Sequence, residues 1–357
     1  MKRMFYLGAA ILVAILGACE KQKPESPTTS AFSSFIDEKK PVSFGENNDV
    51  YLFAGGTNLE RNAGALDSSI ARTVTLTTEE RYFNLIPQAA ADIKDFSAFK
   101  NLVFLGTLDG GDGMSVYLRN TLSKDLLDKV KKSGADLLVT KNQYSRDQIV
   151  LYLLASDTAR LQQLVRQRSD QIFDYLLERY QLRLRAQAYA FDLIDAKFFD
   201  KWPFTIKIPA VYQLFKQDRT GRFLSFIYQP QNPNTKIADK YVSVYFEPLE
   251  ADQIDANWLF AKRQELGKKY LNGDEILPGK YKVERARIAG YDGWRIYGHW
   301  INKTLGGGVG GAFQTYAFWH AKTKTAYLVD NIAYFPQGDK LPVLLELGTI
   351  DQTLSVK

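Results

Sequence analysis

Four runs rich in aromatic and β-branched residues, 281–286, 293–301, 312–320 and 325–335, follow one another near the end of the chain with no helical pattern between them. Runs of this composition read as strands, and their order is that of an antiparallel meander. Further strands are expected at 204–209, 210–215, 222–229 and 241–246, with Gly221 and the segment 230–233 supplying turns. An amphipathic helix fits 255–271, with Ile254, Trp258, Leu259, Leu266 and Tyr270 on its buried side, and a last helix fits 340–354. Strands grouped together, with helices laid on the sheet, argue for an α+β fold and against a doubly wound parallel one.

The first half opens with a short β run, Asp49 to Ala54, stopped by Gly55 and Gly56, and a helix is expected over 62–73. A buried strand at 101–106, helices at 114–122 and 123–133, and strands at 137–140 and 148–154 follow, with Ser123 as an N-cap and Gly134 as a stop. From Thr158 to Asp200 there is neither Pro nor Gly, and Leu161, Val165, Ile172, Leu176, Tyr180, Leu184, Ala188, Phe191, Ile194 and Phe198 form one helical stripe. A continuous helix there would be roughly 60 Å long, bridging two halves unless it breaks near 183–187. Trp202 and Pro203 end it. The expected division is therefore an α/β half over 45–155, a long connecting helix over 156–201, and an antiparallel α+β half over 202–357.

The start of the chain says more about place than about shape. Lys2 and Arg3 precede an apolar run over 4–16 and the tetrapeptide Leu16-Gly17-Ala18-Cys19. The run is too short to cross a bilayer, and the layout is that of a secretory signal. A cysteine directly after Leu-Gly-Ala resembles the bacterial lipobox, which implies cleavage after residue 18 and acylation of Cys19. Residues 19–44 are rich in Lys, Pro, Ser and Thr and read as a flexible tether. Glu20 in place of an aspartate favours outer-membrane sorting, on the periplasmic side. Everything after the anchor is expected to be soluble.

Cys19 is the only cysteine, so the fold must rest on core packing without an internal disulfide, a Cys-based metal site or a Cys nucleophile. The formal charge of +6 includes Lys2 and Arg3, so the processed chain is only mildly basic and nucleic-acid binding is not expected. Lys124, Lys129, Lys131 and Lys132, and again Arg160, Arg166, Arg168, Arg179, Arg183 and Arg185, sit on helical patterns and read as solvated faces.

No catalytic signature stands out. The glycine-rich segment 306–311 lies between two strands, so it reads as a hairpin loop and not as a phosphate cradle, which needs a following helix N-terminus. Asp109-Gly-Gly-Asp-Gly113 lacks the spaced ligands of a calcium loop and reads as a turn. His299, His320 and Asp330 could in principle form a divalent site, but pairing Ile301 with Ala312 sets His299 against Gln314 and leaves His320 at the far end. No metal and no cofactor is therefore expected. Glu79, Glu80, Glu247, Glu250 and Asp252 would need a defined separation in space to act as a glycosidase pair.

Aromatic residues are the better lead. Trp294, Ile296 and Trp300 share one face of their strand by period two, Phe313 and Trp319 share a face of the next, and Tyr316 and Phe318 share the other. Trp294, Arg295, Tyr297, Trp300, Tyr316 and Trp319 are the candidate ligand-binding set, with Arg295 and Tyr297 marking the face expected to be exposed. The competing reading makes these rings the core beneath a covering helix.

The stretch Asp49 to Ala54, the run Phe99 to Gly106, the long helix, Ile206-Lys-Ile-Pro209, Gly310-Gly-Ala-Phe-Gln-Thr-Tyr316 and Val329-Asp330-Asn-Ile-Ala-Tyr-Phe-Pro336 together resemble the domain of unknown function 4837 family of bacterial envelope lipoproteins. The likeness covers about 45–350, and the segment 306–311 is richer in glycine than the family pattern. It implies a lipid-anchored envelope protein with an α+β body and supplies no catalytic residues. The expected function is a non-enzymatic binding or assembly module, held at the membrane by its lipid and partnered by an envelope protein. Glycan or small-ligand binding on the aromatic sheet is the alternative, and a cell-wall hydrolase the third reading.

Overall fold

The computed structural model describes residues 39–230, 236–304 and 308–357. Cys19, the signal, and the tether up to residue 38 lie outside the described residues, as do 231–233 of the expected turn and 306–307 of the glycine-rich segment. Among the described residues no helix is long and apolar enough to cross a membrane.

The N-terminal half is a five-stranded sheet with helices on both faces. Its strands are β1 (Asp49–Phe53), β2 (Asn84–Gln88), β3 (Asn101–Thr107), β4 (Ala135–Lys141) and β5 (Ile149–Ala155), in the order β2-β1-β3-β5-β4. All pairs are parallel except β4 with β5. Every residue of β3 and β5 is buried, as inner strands covered on both sides require.

Helix α1 (Gly56–Ala71) starts six residues earlier than the pattern suggested, because Gly56 adopts φ +40 and lets the chain turn straight from β1 into a helix. Helices α2 (Gly113–Thr121) and α3 (Lys124–Ser133) cover the opposite face with Met114, Leu118 and Val130. The Asp109 to Gly113 turn ends as a helix cap: Asp112 accepts from the amides of Met114 at 3.1 Å and Ser115 at 3.0 Å.

The single long helix is not there. The stripe folds as α4 (Thr158–Gln167) and α5 (Ser169–Ala188), separated at Arg168, whose φ −105 and ψ 13 leave the helical region. A seven-residue strand is about 23 Å long, so an unbroken helix would overhang the sheet. The bend at Arg168 keeps Leu161, Val165, Ile172 and Leu176 on one core with α1. Beyond Ala188 the chain leaves the helix: Phe191 is exposed, while Ile194 and Phe198, the latter on a short turn at Ala196–Phe199, pack under the second sheet. Two of the expected surface arginines are also buried. Arg183, 2% exposed, donates to Asn101 Oδ1 at 2.9 Å and to the carbonyls of Lys100 at 3.0 Å and Asp147 at 2.8 Å. Arg179 donates to the Asp147 carbonyl at 3.0 Å.

The C-terminal half is a seven-stranded antiparallel sheet with helices packed on it. Strands β6 (Gln213–Asp218), β7 (Phe223–Tyr228), β8 (Asp239–Pro248), β9 (Glu275–Ile288), β10 (Tyr291–Asn302), β11 (Val309–His320) and β12 (Thr325–Tyr334) run in the order β9-β10-β11-β12-β8-β7-β6. The meander is β9 to β12, and β8 joins it beside β12. Helix α6 (Ala256–Tyr270), capped by Asp255 through the Trp258 amide at 2.7 Å, covers one face with Leu259, Leu266 and Tyr270. Helix α7 (Leu341–Asp351) covers the other with Leu344, Leu347 and Ile350, and α5 packs against α7. The two halves thus share a helix layer.

Candidate functional site

Alternation along β10 and β11 distributes the six aromatic-sheet candidates over both faces of the sheet, and the structure does not bring them together. Trp294, Trp300 and Trp319 face α6. Trp294 Nε1 donates to the Ile254 carbonyl at 3.2 Å and Trp319 Nε1 to the Leu249 carbonyl at 2.8 Å, so both indoles pin the segment that leads into α6. Arg285 covers the Trp294 ring at 3.8 Å. Arg295, Tyr297 and Tyr316 face the other way, where Arg295 stands directly opposite Tyr316 in the β10–β11 register. That face is not exposed: Tyr297 is 7% accessible and packs in the core beneath α7.

The histidine geometry also changes. Ile301 pairs with Gly310, so His299 lies opposite Ala312, two residues from the expected register. His320 sits at the far end of β11, opposite Thr325, and Asp330 is engaged by Arg263 at 3.0 Å. Among the described residues no group of three His, Cys, Asp or Glu is placed to hold a metal ion.

What forms around Arg295 is a cleft of about 320 Å³ at the junction of the halves. The sheet supplies Arg295, Gln314 and Tyr316; α5 supplies Glu178, Gln181 and Arg185; α7 and the residue after it supply Thr349 and Gln352; Tyr82 comes from the N-terminal half. The strand places Arg295, whose side chain is 21% exposed, where Glu284 on β9 meets it at 2.7 Å and the Tyr297 ring lies under its guanidinium at 4.4 Å. Burial disfavours the charge on Arg295, yet Tyr316, Glu284 and Tyr82 more than offset this and hold its pKa above the ordinary guanidinium value. Burial raises the Tyr316 and Tyr82 hydroxyls, against the pull of Arg295. Both phenols therefore stay protonated and able to donate. Gln314 is spent on the Leu344 carbonyl at 2.7 Å, which fixes α7 over the sheet.

The cleft combines one guanidinium held by a carboxylate, two phenols and a rim of amides, with Arg185 and Glu178 at its edge. These groups suit recognition of a polar surface by hydrogen bonds. Of the six candidates from the sequence, Arg295 and Tyr316 line the cleft and Tyr297 lies under Arg295, whereas Tyr82, Gln181, Arg185 and Gln352 line it without having been candidates. Those four come from three separate stretches of the chain, and no local pattern singles them out.

No curated protein matches the chain. Among solved structures, the Ran-binding protein Mog1p of Saccharomyces cerevisiae is similar over 46% of this chain and 94% of its own, at 12% identity and a TM-score of 0.31. LpqN of Mycobacterium tuberculosis, involved in cell envelope biogenesis, is similar over 43% of this chain and 83% of its own, at 15% identity and a TM-score of 0.26. The family match spans 192–353, narrower than the 45–350 of the expected likeness, and takes in the whole antiparallel sheet with α6 and α7. That segment matches the family described as Domain of unknown function (DUF4837).

Proposed function

We propose that the protein is a lipid-anchored, non-enzymatic binding module of the cell envelope that holds another envelope component in the cleft between its halves. The observation that carries this reading is the cleft itself, where Arg295, Tyr82 and Tyr316 converge from both halves on one concave polar surface. The Leu16 to Cys19 tetrapeptide supports the anchor, and Glu20 supports the periplasmic leaflet of the outer membrane. A tether of this kind confines the domain near the membrane and raises its effective concentration toward membrane-bound partners. A glycan is the second reading, favoured by the phenol and amide donors of the lining.

Because Cys19 is the only cysteine and would be acylated, a cysteine introduced at Gln181, an exposed residue on the rim, is the only free thiol of the mature protein. A photo-crosslinker attached there in intact cells should capture a stoichiometric envelope protein or a glycan, identified by mass spectrometry. The same label at Lys131, on the exposed face of α3, should not. Equal yields from the two positions would sink the cleft reading. Cys19→Ser should release the protein from the membrane fraction, and retention there would sink the anchor.

A further inference from the structure

A second cavity, of about 230 Å³, lies on the opposite face of the C-terminal sheet, where β8 and β11 begin, β10 and β12 end, and the loop after α6 crosses. It has no part in the cleft just described. Its walls are aromatic: the Trp300 and Tyr334 rings stand 6.4 Å apart, with Tyr241 beside them. Gly311 makes room for this arrangement, because a Cβ there would lie 2.9 Å from Trp300 Nε1 and 2.3 Å from the Ala333 carbonyl oxygen. Trp300 is 5% exposed, lines the cavity, and its Nε1 has no hydrogen-bond partner among the described residues.

The charged groups in the lining are all acidic. Asp239 and Asp274 both line the cavity, and no Lys or Arg does. Their hydrogen bonds come from amides, Gln229 to Asp239 at 3.1 Å and Asn302 to Asp274 at 2.9 Å. The nearby Arg263 is committed to Asp330 at 3.0 Å. Burial, then the charges on Asp239 and Asp274, push the Tyr241 hydroxyl up to about 12, so both carboxylates act at the same wall. Burial raises Asp239 as well, and it pushes Asp274 up to about 6 against the Asn302 bond and Arg263, with Asp330 adding to the rise. Two carboxylates beside three aromatic rings, with no Lys or Arg among the lining residues, leave the cavity itself acidic.

We infer that this cavity binds an organic ammonium cation, its charge facing Asp239 and Asp274 and its methyl or methylene groups against Trp300, Tyr241 and Tyr334. Aromatic faces and carboxylates both attract such a cation, and a cavity of this size matches a small head group. A free ammonium compound and a lipid head group share this chemistry.

The test is calorimetric titration of the full chain in detergent with choline, glycerophosphocholine, glucose and calcium chloride. Choline or glycerophosphocholine should bind, with choline tighter for a free ligand and glycerophosphocholine tighter for a head group. Affinity should fall by about tenfold or more between about pH 8 and about pH 5, as the two carboxylates take up protons. Asp274→Asn should weaken binding by about tenfold. Asp239→Asn, at a half-buried position, should do the same and guards against a folding defect in the first variant. Binding of glucose or calcium alone, or of none of the four, would overturn the inference.

Discussion

In the N-terminal sheet, β3 and β5 are fully buried and carry no charged or amide side chain in mid-strand: β3 has Asn101 and Thr107 at its ends, and β5 has only the Tyr152 hydroxyl, which donates to Gln143 at 2.7 Å. In the C-terminal sheet the central strand β12 is just as buried but carries Asp330 and Asn331 side by side in its middle, facing opposite ways. Asp330 meets Arg263 of α6 at 3.0 Å and Thr315 at 2.5 Å; Asn331 donates to Asp351 at the end of α7. A continuous apolar strand accepts a helix in many positions, because the hydrophobic effect has no direction. A strand with a charge on one face and an amide on the other accepts each helix in one position. The two sheets therefore solve the same covering problem differently, and both cavities draw lining residues from the sheet whose helices are fixed in place.

The largest test breaks the charged pair. Asp330→Ala leaves Arg263, 0% exposed, without its carboxylate, and should cost about 3–5 kcal/mol in urea unfolding. Leu151→Ala in β5, fully buried among apolar neighbours, should cost about 2–5 kcal/mol by the cavity it leaves. The double variant Arg263→Met with Asp330→Leu separates the two mechanisms. It should recover most of the loss, because an apolar pair of similar volume replaces an ion pair at little net cost. If Asp330→Ala costs less than about 1 kcal/mol, the pair does not hold α6.

The second test uses pH. Burial pushes Asp351 up to about 8, despite the Asn331 amide that favours its charge and with Asp330 nearby adding to the rise. An unfolded aspartate titrates near about 4. Between these values the folded chain keeps a proton that the unfolded chain has released. Asp351's contribution is therefore complete below about pH 4 and declines as pH rises through about 8. Asp351→Asn should remove that slope and gain on the order of 1–3 kcal/mol at about pH 8. Burial raises Asp274, Asp239, Asp330 and Glu80 as well, so the reading is the difference between the parent chain and the variant: a stability difference that stays constant between about pH 5 and about pH 8 would sink the assignment.

These tests concern residues that the sequence shows unevenly. The meander was legible because aromatic and β-branched residues crowd four consecutive runs, and period two correctly paired Trp294 with Trp300 on one face. What covers each face was not legible. Arg295 and Tyr297 looked solvent-facing because charge alternated with tryptophan, but α7 lies over them, and it comes from more than forty residues further on. Arg179 and Arg183 looked like surface charge for the same reason: helical spacing says which way a side chain points, not whether carbonyls wait there. The break at Arg168 has no Pro or Gly to announce it and follows from the size of the sheet. The cleft needs Tyr82, Gln181, Arg185 and Gln352 together, and only the packing of the two halves gathers them.

The smallest expected effect sits where the two regions meet. Helix α7 has no side-chain cap of its own, and its first amides are taken by a residue of the other half. Glu80, 6% exposed on a short hairpin strand (Glu79–Arg81), accepts from the Lys340 amide at 2.9 Å and from the Leu341 amide at 2.7 Å. A carboxylate at a helix N-terminus satisfies unpaired amides and meets the positive end of the helix dipole. Glu80→Ala should therefore cost about 0.5–2 kcal/mol, and Glu80→Gln less, since an acceptor remains. The exposed neighbour Glu79 is the control, with Glu79→Ala expected to change stability by less than about 0.5 kcal/mol. The bond also joins a hairpin of one half to a helix of the other, so its loss should lower the urea m-value as the halves begin to unfold separately. A Glu80→Ala transition with the cost and slope of Glu79→Ala would mean that α7 is held by its own sheet alone, and that the cleft is assembled without help from the N-terminal half.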